Sequence, residues 1–428
     1  KIPAFIITKS VSSGQESFQK KPRFLGMFCN EQLRKKKRKN IVYAQLVKTW
    51  NTNDACSGQS EKLAEIDFDD HFSVSTNAYG LVLAQTSETN LEDCIVDLLM
   101  DMAKHLFFCS IELNPEIELL NDTSRWIIQG SNSDGKLPLH DVGIEGQGQV
   151  AQISDTAISI NNCYFFDKNG VVERSESGAV NMSLRKVVQH FGTWKKYNEY
   201  HGTHCAGTIA GKACSYDDSC FSSSNQDGNA PEAKLAVYDC GSDNWVSPDS
   251  ATKMFTTGIK AKAYVHSASW TGGSNSYYSF RERDWDKFQY LNQDYQVVMA
   301  AGNSGHGDTA MSLGNAGKNN IVVCASMNKD DGMGENYIAG FSSMGPTHDE
   351  RIKPDICAPG NNIKSAANGS SRQCDTKSDS GTSMACPGVA GAALLVRQYF
   401  MDGFYPSGTR RKVDGFTPSG SLIKAVIL

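Results

Sequence analysis

Five apolar runs constrain what this chain can fold into more than anything else in it. They are Gln149-Val-Ala-Gln-Ile-Ser154, Ala233-Lys-Leu-Ala-Val-Tyr-Asp239, Ala263-Tyr-Val-His-Ser267, Gln296-Val-Val-Met-Ala300 and Asn320-Ile-Val-Val-Cys324. Each reads as a strand, and helical or loop segments separate them. That alternation is the signature of an α/β fold with a parallel, twisted sheet flanked by helices. Most of the runs are followed closely by Gly, Ser, Asn or Asp. In open parallel sheets the active crevice lies beyond the carboxyl ends of the strands. Asp155 and Asn303 both fall just past such an end.

A second constraint is Asp379-Ser380-Gly381-Thr382-Ser383-Met384-Ala385-Cys386-Pro387-Gly388. A glycine turn delivers Ser383 to the start of a small-residue helix expected over 388–395. The first amides of a helix lack internal partners, and its dipole favours negative charge there. A hydroxyl at that place can attack a carbonyl with an amide beside it to receive the oxyanion. An ordinary capped helix would look the same.

His201-Gly-Thr-His204-Cys-Ala-Gly-Thr-Ile-Ala-Gly211 repeats the design with a histidine ahead of a Gly-Thr turn and another small-residue helix. The histidine pair also suggests zinc, but there is no Glu between them, their spacing is three rather than four, and no third ligand is evident. No metal site is expected. In Ala300-Ala-Gly-Asn303 the asparagine suits a turn, and its side-chain amide can also serve a developing oxyanion. These pieces together meet the needs of acyl transfer. A serine nucleophile needs a base, the base needs a carboxylate, and the oxyanion needs fixed donors. Asp155, His201 and Ser383 supply the first three, and Asn303 with the Ser383 amide supplies the donors.

With 428 residues there is room for one large domain and a smaller one. A net charge of -5 suggests neither nucleic acid nor membrane as a partner, and no apolar run reaches membrane-spanning length. The chain begins at lysine and stops in mid-pattern over 423–428, so it reads as a fragment truncated at both ends. Its 13 cysteines are many for a reducing cytosol. Cys214 with Cys220 is the leading expected disulfide, and Cys357 with Cys374 the next. Sequons stand at Asn121, Asn181 and Asn368.

Residues 1–60 carry the basic run Arg34-Lys35-Lys36-Lys37-Arg38-Lys39, best read as a solvated loop, and an expected strand over 41–47. Residues 61–124 read as a small α/β unit, with an amphipathic helix over 91–106 and a strand over 110–113 that ends at Asn114-Pro115. Residues 125–428 are the large domain.

The segments Gln152-Ile-Ser-Asp-Thr-Ala157, His201-Gly-Thr-His-Cys-Ala-Gly207, Ala301-Gly-Asn303 and Gly381-Thr-Ser-Met-Ala385, in that order, resemble the subtilisin-like serine proteases. Arg351-Ile-Lys-Pro-Asp-Ile-Cys-Ala-Pro-Gly360 resembles a further family segment. Pro138-Leu-His-Asp141 and Cys163-Tyr-Phe-Phe-Asp167 resemble the large secreted or vesicular subtilases of protists and related alkaline proteases. Some of those relatives continue into a β-sandwich or a fused transporter. The resemblance implies a serine endopeptidase acting on protein or peptide substrates. In it Asp155 orients His201, His201 is the base, Ser383 the nucleophile, Asn303 an oxyanion donor and His204 structural. It further implies a substrate pocket between Ser269, Trp270, Thr271 and Gly272 on one side and Ala300, Ala301 and Gly302 on the other. No cofactor is required, and structural calcium is compatible with the resemblance, though no spacing defines a calcium loop around Asp375 and Asp379. The unit before residue 125 would be a prodomain inhibiting its own catalytic domain until cleavage near 121–125. The location would be secreted or vesicular, including endolysosomal.

Two positions depart from the family pattern. Ala157 stands where glycine is usual, tolerable unless the backbone there needs positive φ. Thr271 stands where a glycine lets substrate approach. Two rival functions stay open: an inactive homologue that binds peptides, and a transpeptidase or esterase using the same acyl-enzyme.

Overall fold

The computed structural model describes residues 125–130 and 136–428, apart from 193–198, 216–219, 221–226, 242–245, 273–275, 306–311, 329–334 and 370–373. Before residue 125 it describes the backbones of five strands. The chain divides into two compact units, Lys1–Glu116 and Ile117–Leu428.

The first unit holds one sheet, made of β1 (Ala4–Lys9), β2 (Tyr43–Leu46), β3 (Phe72–Asn77), β4 (Gly80–Gln85) and β5 (Cys109–Asn114). Their order is β3-β4-β2-β1-β5, with only β1 and β2 parallel. The strands expected over 41–47 and 110–113 are β2 and β5. The helix expected over 91–106 lies outside the described residues.

The second unit is built on a seven-stranded, wholly parallel sheet. Its strands are β6 (Val150–Asp155), β7 (Val187–Gly192), β8 (Lys234–Asp239), β9 (Val265–Ala268), β10 (Gln296–Ala300), β11 (Ile321–Ser326) and β12 (Ile356–Pro359). They lie in the order β12-β11-β10-β9-β6-β8-β7. The described helices are α1 (Arg125–Gly130), α2 (Pro138–Asp141), α3 (Tyr200–Ala210), α4 (Ala251–Lys260), α5 (Phe280–Leu291), α6 (Thr382–Met401) and α7 (Gly420–Ile427). A hairpin of β13 (Ile363–Ala366) and β14 (Thr376–Asp379) precedes α6.

All five expected strands are present because each is buried on both faces. In β10, Val298 and Ala300 join the core shared with α3 and α6, while Val297 and Met299 pack with Phe255 of α4 and Trp285 of α5. The strand order reverses around β6: the chain first runs out to β7 and β8, then crosses to β9 on the other side. That is the switch point at which ligands of such sheets bind. The sequence reading missed β7, which carries Gln189 and His190 in place of an apolar run.

Helix α6 begins directly after Gly381, well before the expected 388–395. Pro387 lies inside it and has no N–H to give the carbonyl four residues back. That carbonyl, Ser383 O, instead accepts from Ser269 Oγ at 2.9 Å.

Cys214 and Cys220 form a disulfide, as expected. Cys357 and Cys374 do not pair with each other, which corrects the second expectation. Cys357 joins Cys324, its register partner on the neighbouring strand, and Cys374 joins Cys163. Asn162 Nδ2 donates to the Asp375 carbonyl at 3.0 Å, which draws the 374 loop to the 163 loop. Among the described residues no helix is long and apolar enough to cross a membrane.

Candidate active site

Asp155 is the last residue of β6 and is wholly buried. Its Oδ1 accepts from the Thr156 amide at 2.7 Å. Thr156 also fixes the incoming helix, since its Oγ1 accepts from the Gly202 amide at 2.8 Å. A Cβ on Gly202 would stand 2.3 Å from the Thr156 carbonyl oxygen, so only glycine lets α3 seat here. The first turn of α3 thereby brings His201 Nδ1 to 2.6 Å from Asp155 Oδ1. An Nδ1–H donated to that carboxylate leaves Nε2 with the lone pair, the tautomer a general base needs. Ala157 is not among the residues with positive φ, so alanine carries no backbone cost there.

His204 faces elsewhere. Its Nε2 meets the Lys377 carbonyl at 3.0 Å, and burial pulls its pKa down to about 3, so the ring stays neutral. Cys205, on the next residue of α3, places Sγ 3.8 Å from His201 Nδ1 and 3.8 Å from Ser383 O. Donor atoms of Asp155, His201 and Cys205 all lie within 4.8 Å of one another. They could hold a thiophilic ion, which would take the Nδ1 lone pair and displace the Asp155 hydrogen bond.

Ser383 comes to the same end of the sheet on α6. The Gly381 amide donates to the Gly360 carbonyl at 2.7 Å, setting the helix start. Thr382 then reaches across to the loop after β10. Its N–H and its Oγ1–H both point at Asn303 Oδ1, each at 3.0 Å, and its Oγ1 accepts from the Gly302 amide at 3.0 Å. Two donors converging on one atom require that atom to be the amide oxygen. Asn303 Nδ2 has no acceptor among the described residues, and the Ser383 N–H is one of the unpartnered first amides of its helix. Ser383 Oγ itself donates to the Ser269 carbonyl at 2.6 Å.

Of the seven pocket residues read from the sequence, Ala300 is the last residue of β10 and the other six follow β9 and β10. Asn315 Nδ2 ties the two segments together, donating to Trp270 O at 3.3 Å and Ala300 O at 2.5 Å. The Trp270 indole is turned inward, donating to Ser154 O at 2.9 Å, and the methyls of Ala300 and Ala301 are in the core. These three offer backbone rather than side chain. Thr271 and Gly302 face each other: a Cβ on Gly302, whose φ is +109°, would lie 3.4 Å from Thr271 Cγ2.

A second Ser–His pair lies wholly inside the sheet. Ser154 Oγ is 2.8 Å from His266 Nε2, and His266 Nδ1 is 2.9 Å from Gln152 Oε1. Both residues are fully buried, and burial holds His266 at a pKa of about 3. This network ties strands beneath the site.

Sequence reasoning missed Thr382 as the holder of Asn303, Ser269 as partner of both the Ser383 carbonyl and hydroxyl, and Cys205 beside the histidine. The one available signal was proximity in sequence, since Thr382 and Cys205 lie inside the quoted motifs.

Residues 146–426 match the family model described as Subtilase family. Over 381 residues the chain is 30% identical to the serine protease/ABC transporter B family protein tagD of Dictyostelium discoideum, covering 67% of this chain and 20% of that one. To tagB of the same organism it is 28% identical over 74% of this chain and 21% of that one. To the serine protease AprX of Bacillus subtilis it is 30% identical over 46% of this chain and 48% of that one. The chain thus spans about a fifth of the length of the two Dictyostelium relatives.

Proposed function

This chain belongs to the subtilase family, and from that premise we propose that it is a serine endopeptidase acting through an acyl-enzyme on Ser383. The observation that carries the reading is the 2.6 Å hydrogen bond from His201 to the buried Asp155 carboxylate, at the sheet end where α6 delivers Ser383. Ser383 Oγ exchanges the Ser269 carbonyl for His201 Nε2 by rotation about its Cα–Cβ bond, then attacks the substrate carbonyl carbon. Its proton passes to Nε2, and Asp155 stabilises the resulting imidazolium. The carbonyl oxygen becomes an oxyanion between Asn303 Nδ2 and the Ser383 amide. His201 returns the proton to the leaving amine as the C–N bond breaks. Water repeats the sequence to release the acid.

Substrates are proteins or peptides, lying between the segments after β9 and β10. The reaction draws on no cofactor. Structural calcium, if bound, finds Asp379 already engaged by the Tyr200 hydroxyl at 2.6 Å and Lys377 Nζ at 3.4 Å. The three disulfides among the described residues support a secreted or vesicular location. The separate compact unit ending at Glu116 supports a prodomain that blocks the cleft until it is cut away. N-terminal sequencing of active enzyme should start within 121–125, and a start far from that window removes the prodomain reading.

The decisive experiment is labelling by a fluorophosphonate, comparing wild type with Ser383→Ala after release of the first unit. Labelling of wild type alone is expected. A folded wild-type protein that does not label would overturn the proposal in favour of an inactive peptide-binding homologue. Hydrolysis measured with and without an added amine separates proteolysis from transpeptidation.

A further inference from the structure

We propose that Asn181 is an acceptor for an N-linked oligosaccharide. Among the three sequons, Asn121 and the serine of the Asn368 sequon lie outside the described residues, whereas Asn181-Met182-Ser183 is described in full. All three of its residues are exposed, with Met182 40% accessible despite being apolar. A bulky group here meets no packed surface.

Local chemistry suits the transfer. Ser183 directs both its hydroxyl, at 2.6 Å, and its amide, at 3.1 Å, onto Asn181 Oδ1. Donors on the carboxamide oxygen draw the nitrogen lone pair towards the carbonyl, which makes the N–H more acidic, and they fix which end of the amide faces outward. Asn181 Nδ2 is left without an acceptor among the described residues. Serine or threonine, and no other side chain of that size, brings a hydroxyl to this place, which is the sequon requirement in physical form.

The turn tolerates the addition. The Asn181 amide donates to the Val188 carbonyl at 2.8 Å, and the Asn181 carbonyl accepts from Leu184 N at 3.3 Å. Lys234 Nζ clamps the far side, donating to the Met182 and Leu184 carbonyls at 2.7 Å each. None of these bonds uses the Asn181 side-chain nitrogen. Val188 is near the amino end of β7, and β7 and β6 flank β8 in parallel. Asn181 is therefore toward the end of the sheet opposite Asp155, beside its outermost strand, where a glycan leaves the active crevice open. The disulfides point independently to the oxidising compartment in which oligosaccharide transfer takes place.

In the transfer, Nδ2 attacks the anomeric carbon of an oligosaccharide carried on a lipid pyrophosphate. The new C–N bond forms as the sugar C–O bond to pyrophosphate breaks. The amide nitrogen gives up one proton, and the lipid pyrophosphate departs as the leaving group.

The test is peptide mapping of the full chain made in a eukaryotic secretory host, before and after an amidase that releases N-glycans and converts the acceptor asparagine to aspartate. The peptide spanning 181 is expected in glycosylated form, and after release it carries aspartate. Asn181→Gln and Ser183→Ala should both lose the glycoform, while Ser183→Thr keeps it. An unmodified 181 peptide in the wild-type chain, whether secreted or retained, overturns the proposal, and so does a Ser183→Ala protein still glycosylated at 181. Wild-type mapping decides the matter even if a variant fails to fold. Occupancy is read by mass alone, so it stands or falls separately from the reactivity of Ser383.

Discussion

Thr382 sits beside the nucleophile yet acts on a different residue. Its hydroxyl and amide hold Asn303 Oδ1, and the Gly302 amide holds the hydroxyl in turn. Asn303→Ala removes the proposed side-chain donor and should cost about a hundred- to a thousandfold in kcat, the loss found on removing the equivalent asparagine in the family's type enzyme. Thr382→Val keeps Asn303 but leaves its oxygen with the backbone donor alone. A roughly tenfold fall in kcat with little change in KM is expected, equal to about 1.4 kcal/mol of lost positioning. Thr382→Ser should restore it. Steady-state kinetics on a peptide substrate decides, and an unchanged kcat for the valine variant would show that Asn303 is held by other means. Asp155, His201 and Asn303 were legible in the sequence because each lies next to a glycine or a strand end, and Ser383 because it stands two residues past Gly381 at the start of a small-residue helix. Thr382 was not, because its task depends on a residue 79 positions away.

At the scale of elements, the site depends on α3 being seated against the chain just past β6 by a residue without a side chain. A methyl on Gly202 would meet the Thr156 carbonyl oxygen at 2.3 Å and the Ala157 carbonyl oxygen at 2.7 Å. Both are backbone atoms that cannot swing aside. Gly202→Ala must therefore move α3 away from β6, taking His201 from Asp155. Overpacking of this kind costs about 1–3 kcal/mol of stability. The displaced base should lower kcat/KM by about a hundredfold, as misplacement near 1 Å does. Denaturation and kinetics on the same preparation test both, and full activity would mean the helix seats without this contact. The sequence revealed most of the sheet because strands covered on both faces are apolar throughout. It concealed β7, where Gln189 Nε2 is satisfied inside the fold by the Gly178 and Thr257 carbonyls at 2.9 Å each. The Cys163–Cys374 bond was equally hidden, since 211 residues separate its ends and only the folded loops bring them together.

For the whole molecule, burial of histidines sets how stability answers to pH. His190, His204 and His266 are all buried, and desolvation lowers their pKa values to about 4, about 3 and about 3. Each is neutral in the folded chain and takes a proton on unfolding once the pH is below its unfolded value of 6.5. Their contribution is thus fully present above that value and is lost as pH falls towards the folded values. Each removes up to about 1.4 kcal/mol per pH unit in that window. Asp239 has the opposite sign. Burial, opposed by Arg174 at 2.6 Å, raises it to about 6, so the folded chain binds its proton more readily than the unfolded chain does as pH falls from there to 3.8. Burial also raises Glu145, Glu199 and Asp284, which act in the same direction as Asp239 at lower pH. Between pH 6.5 and 5 the three histidines outnumber Asp239, so stability should fall as acid is added. Urea unfolding of the Ser383→Ala protein, which cannot digest itself under the proposed mechanism, measures this directly at pH 7, 6 and 5. His266→Gln should flatten the slope, because one proton-binding group of the unfolded state is gone. Stability that rises from pH 7 to pH 5 would mean that carboxylate burial, and not histidine burial, governs this fold.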